Sequence, residues 1–338
     1  MRKLLSSILL LAGATLLPAA KNLEVYCIDV EGGKATLWIS PSGESMLVDT
    51  GWPGFNRRDA DRILAAAKHA GVRKIDYLLI THYHKDHVGG VPQLAEKIPI
   101  RNFVDHGPSS EKGQDEDVLF NAYSAFRDKG NHILAKVGDT LPIKGMEVKF
   151  VSSDGNLLAA PLPGAGQPNP DCAGYQPPAP DLTQPENAHS VGTLITFGNL
   201  RFLDMGDLTA DKEYGLVCPV NKLGVVDVFM VSHHGSSLSD SLPFVRALHP
   251  QVAIMNDGSR KGGAPEVWQR IHEIPGLEDF WQLHFAIAAG KAHNSPDTFI
   301  ANVDEVCEGR WLKLTARPDG AFTIYNSRNK YQREYRKR

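Results

Sequence analysis

The feature that most constrains this chain is the stretch from Ile75 to His87, "IDYLLITHYHKDH", in which an apolar run passes without a break into three histidines and an aspartate. The run reads as a buried strand, and it follows an amphipathic stretch, "RRDADRILAAAKHAG", that ends on a glycine helix cap. His82 and His84 are two residues apart at the strand's end and so project to the same side, while Asp86 and His87 begin the next turn. Three imidazoles and one carboxylate therefore converge. Buried together without compensation they would be strongly destabilising, so a bound divalent cation is their natural partner. The plain alternative, a histidine-rich surface loop, has to produce HxHxDH by chance in a chain with 13 histidines among 338 residues.

Turn-bounded apolar runs alternate with helical patterns along the rest of the chain. "LEVYCIDV", "ATLWIS" and "SMLVDTG" read as strands before the motif; "FVDH", "HILAKV" and "MEVKFVSS" read as strands after it, with "VPQLAEKI" and "DEDVLFNAYSAFRDKG" as helices. Residues 161–186 carry eight prolines, too many for a helix or an inner strand, and form an irregular loop. A strand pair follows, "VGTLITFG" and "RFLDMGD", then "VVDVFMVSHHGS", a helix "SLPFVRALH", a strand "QVAIMNDG" and a helix "PEVWQRIHEI". "EGRWLKLTARPDGAFTIYNS" is a hairpin turning on Pro-Asp-Gly. This order predicts an α+β fold: two sheets packed together with helices outside, in one domain over residues 21–327. Residues 328–338, "RNKYQREYRKR", read as a basic, solvated tail.

Residues 1–20 have a basic start, a short interrupted apolar stretch and small residues at the end, the pattern of a signal peptide cut after Ala20; an uncleaved anchor is the alternative. A secreted or periplasmic location is expected. The formal charge is −3, and −5 once Arg2 and Lys3 leave, so no global basic field is available to hold nucleic acid. No run beyond the leader is apolar enough for a membrane channel. Four cysteines (Cys27, Cys172, Cys218, Cys307) permit three pairings, and none is in a CxxC spacing.

"THYHKDH" resembles the HxHxDH signature of the metallo-β-lactamase superfamily, and "SMLVDTG" resembles the strand that carries that family's structural aspartate, here Asp49. "FLDMGD" sets Asp207 where the family has a bridging carboxylate, and "VSHHGS" supplies a histidine after the following strand. Within the superfamily, "YCIDVEGGKATLWIS", "MGD" and "SHHGS" are most similar to the extracellular hydrolase domain of the DNA-internalisation competence proteins and their secreted relatives. The chain departs from them at "EGGK", where they have Gly-Gln-Gly-Asp, and at "KGGAPEVW", where they have a Gly-His-Pro segment.

The resemblance implies a four-layer αββα sandwich with two divalent metal ions, most often zinc. One ion would take His82, His84 and a third donor; the other would take Asp86, His87 and His234, with Asp207 bridging. His189 is the expected third donor, with Asn187 and His106 as alternatives. His233 is read as a substrate-facing or supporting donor that acts in catalysis with Asp86, because strand alternation sets His233 and His234 on opposite sides unless the chain turns sharply at Gly235. Asp49 is expected to bond the metal loop and not the metal. Two such cations activate water for hydrolysis. The expected function is a metal-dependent hydrolase acting on a phosphodiester or related ester. A β-lactam or lactone hydrolase, with Arg260 or Lys261 binding an anionic group, and a non-catalytic metal- or partner-binding protein are the alternatives. The proline-rich loop either narrows the cleft, with Tyr175 among its contacts, or covers a sheet edge.

Overall fold

The computed structural model describes residues 22–338, so the leader read at 1–20 lies outside the described residues. In chain order, β1 (Leu23–Cys27), β2 (Thr36–Ile39), β3 (Ser45–Val48), β4 (Ile75–Leu79), β5 (Ile100–Asp105) and β6 (Asn131–Leu134) belong to a first sheet. The chain then crosses to a second sheet with β7 (Thr140–Leu141), β8 (Glu147–Ser153), β9 (Asn156–Leu157), β10 (Gly192–Phe197), β11 (Leu200–Asp204), β12 (Val228–Met230), β13 (Val252–Met255), β14 (Asp279–His284) and β15 (Ile300–Asn302). It returns to the first sheet with β16 (Leu312–Ala316), β17 (Ala321–Asn326) and β18 (Gln332–Arg336), giving the order β18-β17-β16-β1-β2-β3-β4-β5-β6.

Helices α1 (Arg58–His69), α2 (Lys85–Val88), α3 (Val91–Ala95) and α4 (Gln114–Arg127) connect the strands of the first sheet, and α5 (Ala210–Val217), α6 (Leu242–Leu248) and α7 (Pro265–His272) those of the second. Three apolar cores define four layers. The middle core joins the inner faces of both sheets, with Trp38 edge-to-face on Phe202 at 5.6 Å. One outer core packs α1, α3 and α4 on the first sheet through Ile63, Ala67, Leu94 and Tyr123; the other packs α5, α6 and α7 on the second through Leu216, Phe244, Leu248 and Trp268. The expected αββα sandwich is the observed one.

β3 to β6 run parallel, as do β11 to β15, because helical crossovers separate them. The carboxyl ends of β3, β4, β5, β11, β12 and β13 carry the chemistry-bearing residues. In open α/β sheets such ends are where ligands bind.

Three sequence expectations are corrected. α5, β14 and β15 form where the sequence pattern predicts no element. The basic tail is no loose end: residues 332–336 pair with β17 as an edge strand, because Tyr335 turns inward and its hydroxyl donates to Asp279 at 2.6 Å. Charged residues on such an edge also discourage further strand pairing. The proline-rich loop neither covers a sheet edge with its body nor brings Tyr175 to the cleft. Its body lies on α5 and α6, held by the Cys172–Cys218 disulfide, by Asn169 donating to the Pro243 carbonyl at 3.0 Å and by Tyr175 stacked on Tyr214. Only its end, Thr183 and Gln184, borders the cleft described below, and Tyr175 is not among that cleft's lining residues.

Candidate metal centre

The geometry starts at the end of β3. Asp49 is fully buried with φ at 60°, and its carboxylate accepts from the Thr81 amide and the Thr81 hydroxyl, each at 2.8 Å. These bonds tie the end of β3 to the turn after β4. The same carboxylate takes His87 Nδ1 at 2.8 Å. Asp49 thus holds the motif loop and leaves His87 Nε2 facing inward. His82 Nδ1 sits 3.1 Å from the Thr81 hydroxyl, which orients that ring as well.

From the second sheet, the Asn256 carbonyl accepts His234 Nδ1–H at 3.0 Å and leaves its Nε2 free. His87 Nε2 and His234 Nε2 then face each other at 3.1 Å. Asp207 Oδ2 lies 3.2 Å from the first and 3.4 Å from the second, and Asp86 Oδ2 lies 3.4 Å and 3.2 Å from the same pair. His233 Nε2 is 3.4 Å from Asp207 Oδ2, and His82 Nε2 is 4.0 Å from it. Alternation along β12 would separate His233 from His234. Both reach Asp207 because His233, His234 and Gly235 take φ of 50°, 56° and 75°, a left-handed turn that costs non-glycine residues about 1–2 kcal/mol each. Gly262 supports this turn: a Cβ there would lie 2.1 Å from the His234 carbonyl oxygen. Gly263 N–H donates to that oxygen at 2.8 Å.

Charges follow from this crowding. Burial opposes ionisation of Asp86 and Asp207, yet the surrounding imidazoles hold both carboxyls well below the usual carboxylate range. Burial likewise opposes a charged His87, but Asp207, Asp86 and Asp49 hold it well above its ordinary value. Burial pushes His233 down to about 4, so it is neutral near pH 7. His82 Nε2 and Asp207 Oδ1 are buried with no hydrogen-bond partner among the described residues. Inward imidazole nitrogens, two carboxylates and two unsatisfied donor atoms fit a divalent cation.

The remaining sequence candidates separate. His84 sits beside His82, ring centroids 4.7 Å apart, with its Nε2 3.3 Å from Glu111. His189 is not brought to this cluster: its Nδ1 pairs with Asp154 at 3.0 Å, and His106 lies next to it. Asn187 is fully buried, and its Oδ1 has no partner among the described residues. Its segment runs against the motif, since Tyr83 N–H donates to Glu186 at 3.2 Å and Val191 N–H to the Thr81 carbonyl at 2.8 Å.

Two lysines absent from the expected ligand set also touch the region. Lys34, from "EGGK", is buried and bonds Asp204 at 2.5 Å; burial disfavours its charge, but Asp204, Asp49 and Asp207 raise its pKa. Lys261, from "KGGAP", pairs with Asp86 and lies 5.0 Å over the Trp52 ring. A cleft of about 400 Å³ opens above the cluster, with Trp52, Lys85 and Lys261 among its lining and Glu111, Asp115 and Glu116 contributing acids. Glu111, in the loop "PSSEKG", gave no sequence signal. Asn256 acts through its main chain, which no side-chain pattern reports.

Residues 30–168 match the metallo-beta-lactamase superfamily. A 189-residue stretch is 27% identical to ComE operon protein 3 of Bacillus subtilis (strain 168), covering 56% of this chain and 20% of that protein. Recombination protein 2 of Haemophilus influenzae is 26% identical over 237 residues, 70% of this chain and 24% of its own length. The chain therefore spans only a fifth to a quarter of the length of these curated relatives. Among solved structures, the metallo-beta-lactamase fold protein YhfI from Bacillus subtilis aligns with a TM-score of 0.46 at 11% identity, over 78% of this chain and 96% of that one.

Proposed function

We propose, from the match of residues 30–168 to the metallo-beta-lactamase superfamily, that this chain is an exported metal-dependent hydrolase with a two-ion centre, acting on a phosphodiester or related ester. The observation that carries the reading is the meeting of His87 Nε2 and His234 Nε2 at 3.1 Å, with Asp86 and Asp207 within 3.4 Å of both. Asp86, His87 and His234 would hold one ion and His82 with His84 the other, with Asp207 between them. Asn187, buried with an unpartnered Oδ1, takes the third place at the second ion in preference to His189. The donor set suits zinc. Bound there, the ions supply a water nucleophile of lowered pKa and charge for the attacked and leaving oxygens.

The protein's own groups do the rest. Asp49 and the Asn256 carbonyl fix which nitrogen of His87 and of His234 is presented. His233, neutral and held through Nδ1 by the Ser239 hydroxyl at 3.2 Å, presents Nε2 beside Asp207, where it can accept a proton from the nucleophile and return it to the leaving group. Lys261 over Trp52 offers a cation to an anionic substrate group. The acids at the cleft favour a compact ester over a long polyanionic strand, because phosphates along Glu111, Asp115 and Glu116 would be repelled. That lining also supports a second reading, hydrolysis of a cyclic amide or ester. Export is supported by the Cys172–Cys218 disulfide, since such bonds persist in oxidising compartments.

The test is hydrolysis of a bis-aryl phosphodiester and a chromogenic cephalosporin in parallel, by metal-loaded protein with chelated controls. Chelator-sensitive release from the phosphodiester is expected. Release from the cephalosporin alone moves the assignment to the carbonyl branch, and no release from either by a protein holding two ions favours a non-catalytic metal- or partner-binding protein.

A further inference from the structure

A second gathering of imidazoles lies where the end of β5 meets the rim of the second sheet, and the central cluster does not use it. His106 follows β5, Asp154 sits in the turn between β8 and β9, and His189 closes the short helical turn Pro185–His189 before β10. One ligand atom from each lies within 4.8 Å of the other two. His106 Nε2 donates to Glu186 Oε1 at 2.7 Å, and the Ser110 amide donates to the other Glu186 oxygen at 2.8 Å. With Nε2 committed, the nitrogen His106 can offer is Nδ1, which is buried and has no hydrogen-bond partner among the described residues.

The other two members hold each other. His189 Nδ1 lies 3.0 Å from Asp154 Oδ1, and the Asp154 amide donates to the His189 carbonyl at 3.1 Å. Among the described residues no Lys or Arg pairs with Asp154; the neighbouring Lys212 spends its Nζ on the Gly155 carbonyl at 2.8 Å. The side chains therefore offer two imidazoles and one carboxylate with no resident cation.

We infer that His106, Asp154 and His189 form a separate mononuclear site for a divalent cation of the zinc type. Two imidazole nitrogens and one carboxylate oxygen make three legs of a tetrahedron, with water as the fourth. A carboxylate behind a ligating histidine, here Glu186 behind His106, fixes the ring and raises its basicity. Asp154 borders a groove of about 260 Å³ with Lys136, Ser153 and Asn156, which gives the fourth position access to solvent. A cation here ties the last turn of the proline-rich loop to the β8–β9 turn and to β5, so it braces the rim beside the centre and does not take part in hydrolysis.

The test is metal stoichiometry of the whole chain, stripped with chelator, reloaded with zinc or cobalt, desalted and measured by atomic emission. Asp154 is on an exposed turn, so Asp154→Ala should fold. It is expected to hold one equivalent fewer than wild type, His189→Ala should lose the same equivalent, and the double variant should lose no more than either. His87→Ala should empty the central cluster while keeping the outer ion. Asp154→Ala with wild-type stoichiometry and affinity overturns the inference. If His87→Ala leaves the metal content unchanged while Asp154→Ala lowers it, the two-ion reading of the centre fails and the outer site stands.

Discussion

Two clusters in this molecule draw on similar residue types and end in opposite states. Asp29, Glu31, His284 and Cys307 bring ligand-type atoms within 4.8 Å of one another, as do Asp86, His87, Asp207 and His234. In the first, Arg62 from α1 lies 2.8 Å from Asp29 and 3.2 Å from Glu31, and His284 bonds Asp29 at 2.7 Å. Burial opposes a charged His284, but Asp29 and its neighbours raise it to about 10. Two carboxylates thus meet two resident cations and the cluster is neutral. In the second, the raised His87 and Lys261 face three carboxylates, Asp49, Asp86 and Asp207, and Asp207 Oδ1 and His82 Nε2 keep no partner among the described residues. A set of metal-ligating residues indicates a metal site only where the protein has not already supplied the positive charge.

The contrast can be broken most forcefully at Asp207. Asp207→Ala should lower chelator-sensitive hydrolysis by at least about 10³-fold with the far-UV spectrum unchanged; a variant at full turnover refutes the two-ion mechanism. Next in size, Arg62→Met strands Asp29 and Glu31 and should cost about 3 kcal/mol in denaturant unfolding, because one partner of a buried pair is removed. The same variant should become stabilised by added zinc at the emptied cluster, and an absence of any zinc response counts against resident charge as the deciding factor.

A pH series sharpens the comparison further. The folded-state pKa of His284 is raised, so its stabilising contribution is complete below its unfolded value, about 6.5, and fades as pH climbs to about 10. The stability gap between wild type and His284→Gln should shrink over that window, and a gap that widens with pH contradicts the assignment. The smallest effect belongs to Lys261→Ala. This half-exposed cation should change stability by less than about 0.5 kcal/mol. It should raise KM for an anionic ester several-fold while altering kcat less; an unchanged KM removes Lys261 from substrate binding.

What could be read from the sequence was local. HxHxDH announces itself because it sits at the end of an apolar run, the Asp49 strand, "MGD" and "HHG" are legible through their resemblance to a known family, and the alternation of runs and helices predicts two packed sheets with helices outside. β14 escaped notice because "DFWQLH" lacks a clean alternation and is buried throughout, and α5 because it is short and contains a glycine. β18 was hidden by its charges, which suit an edge strand as well as a solvated tail. The handedness of the 233–235 turn, the detour of His189 to Asp154 and the bond from His284 to Asp29 across 255 residues are decided by tertiary contacts that no short window contains.

The two imidazoles that meet at 3.1 Å are 147 residues apart and hang from different sheets. Neither half of the chain can therefore assemble the centre while the other is still unfolded, and closing so long a loop is among the slower events in folding. An ion held between these two imidazoles could be captured only after the second sheet has docked on the first. A chain threaded unfolded through a membrane would cross without its ions and acquire them only after it has finished folding on the far side.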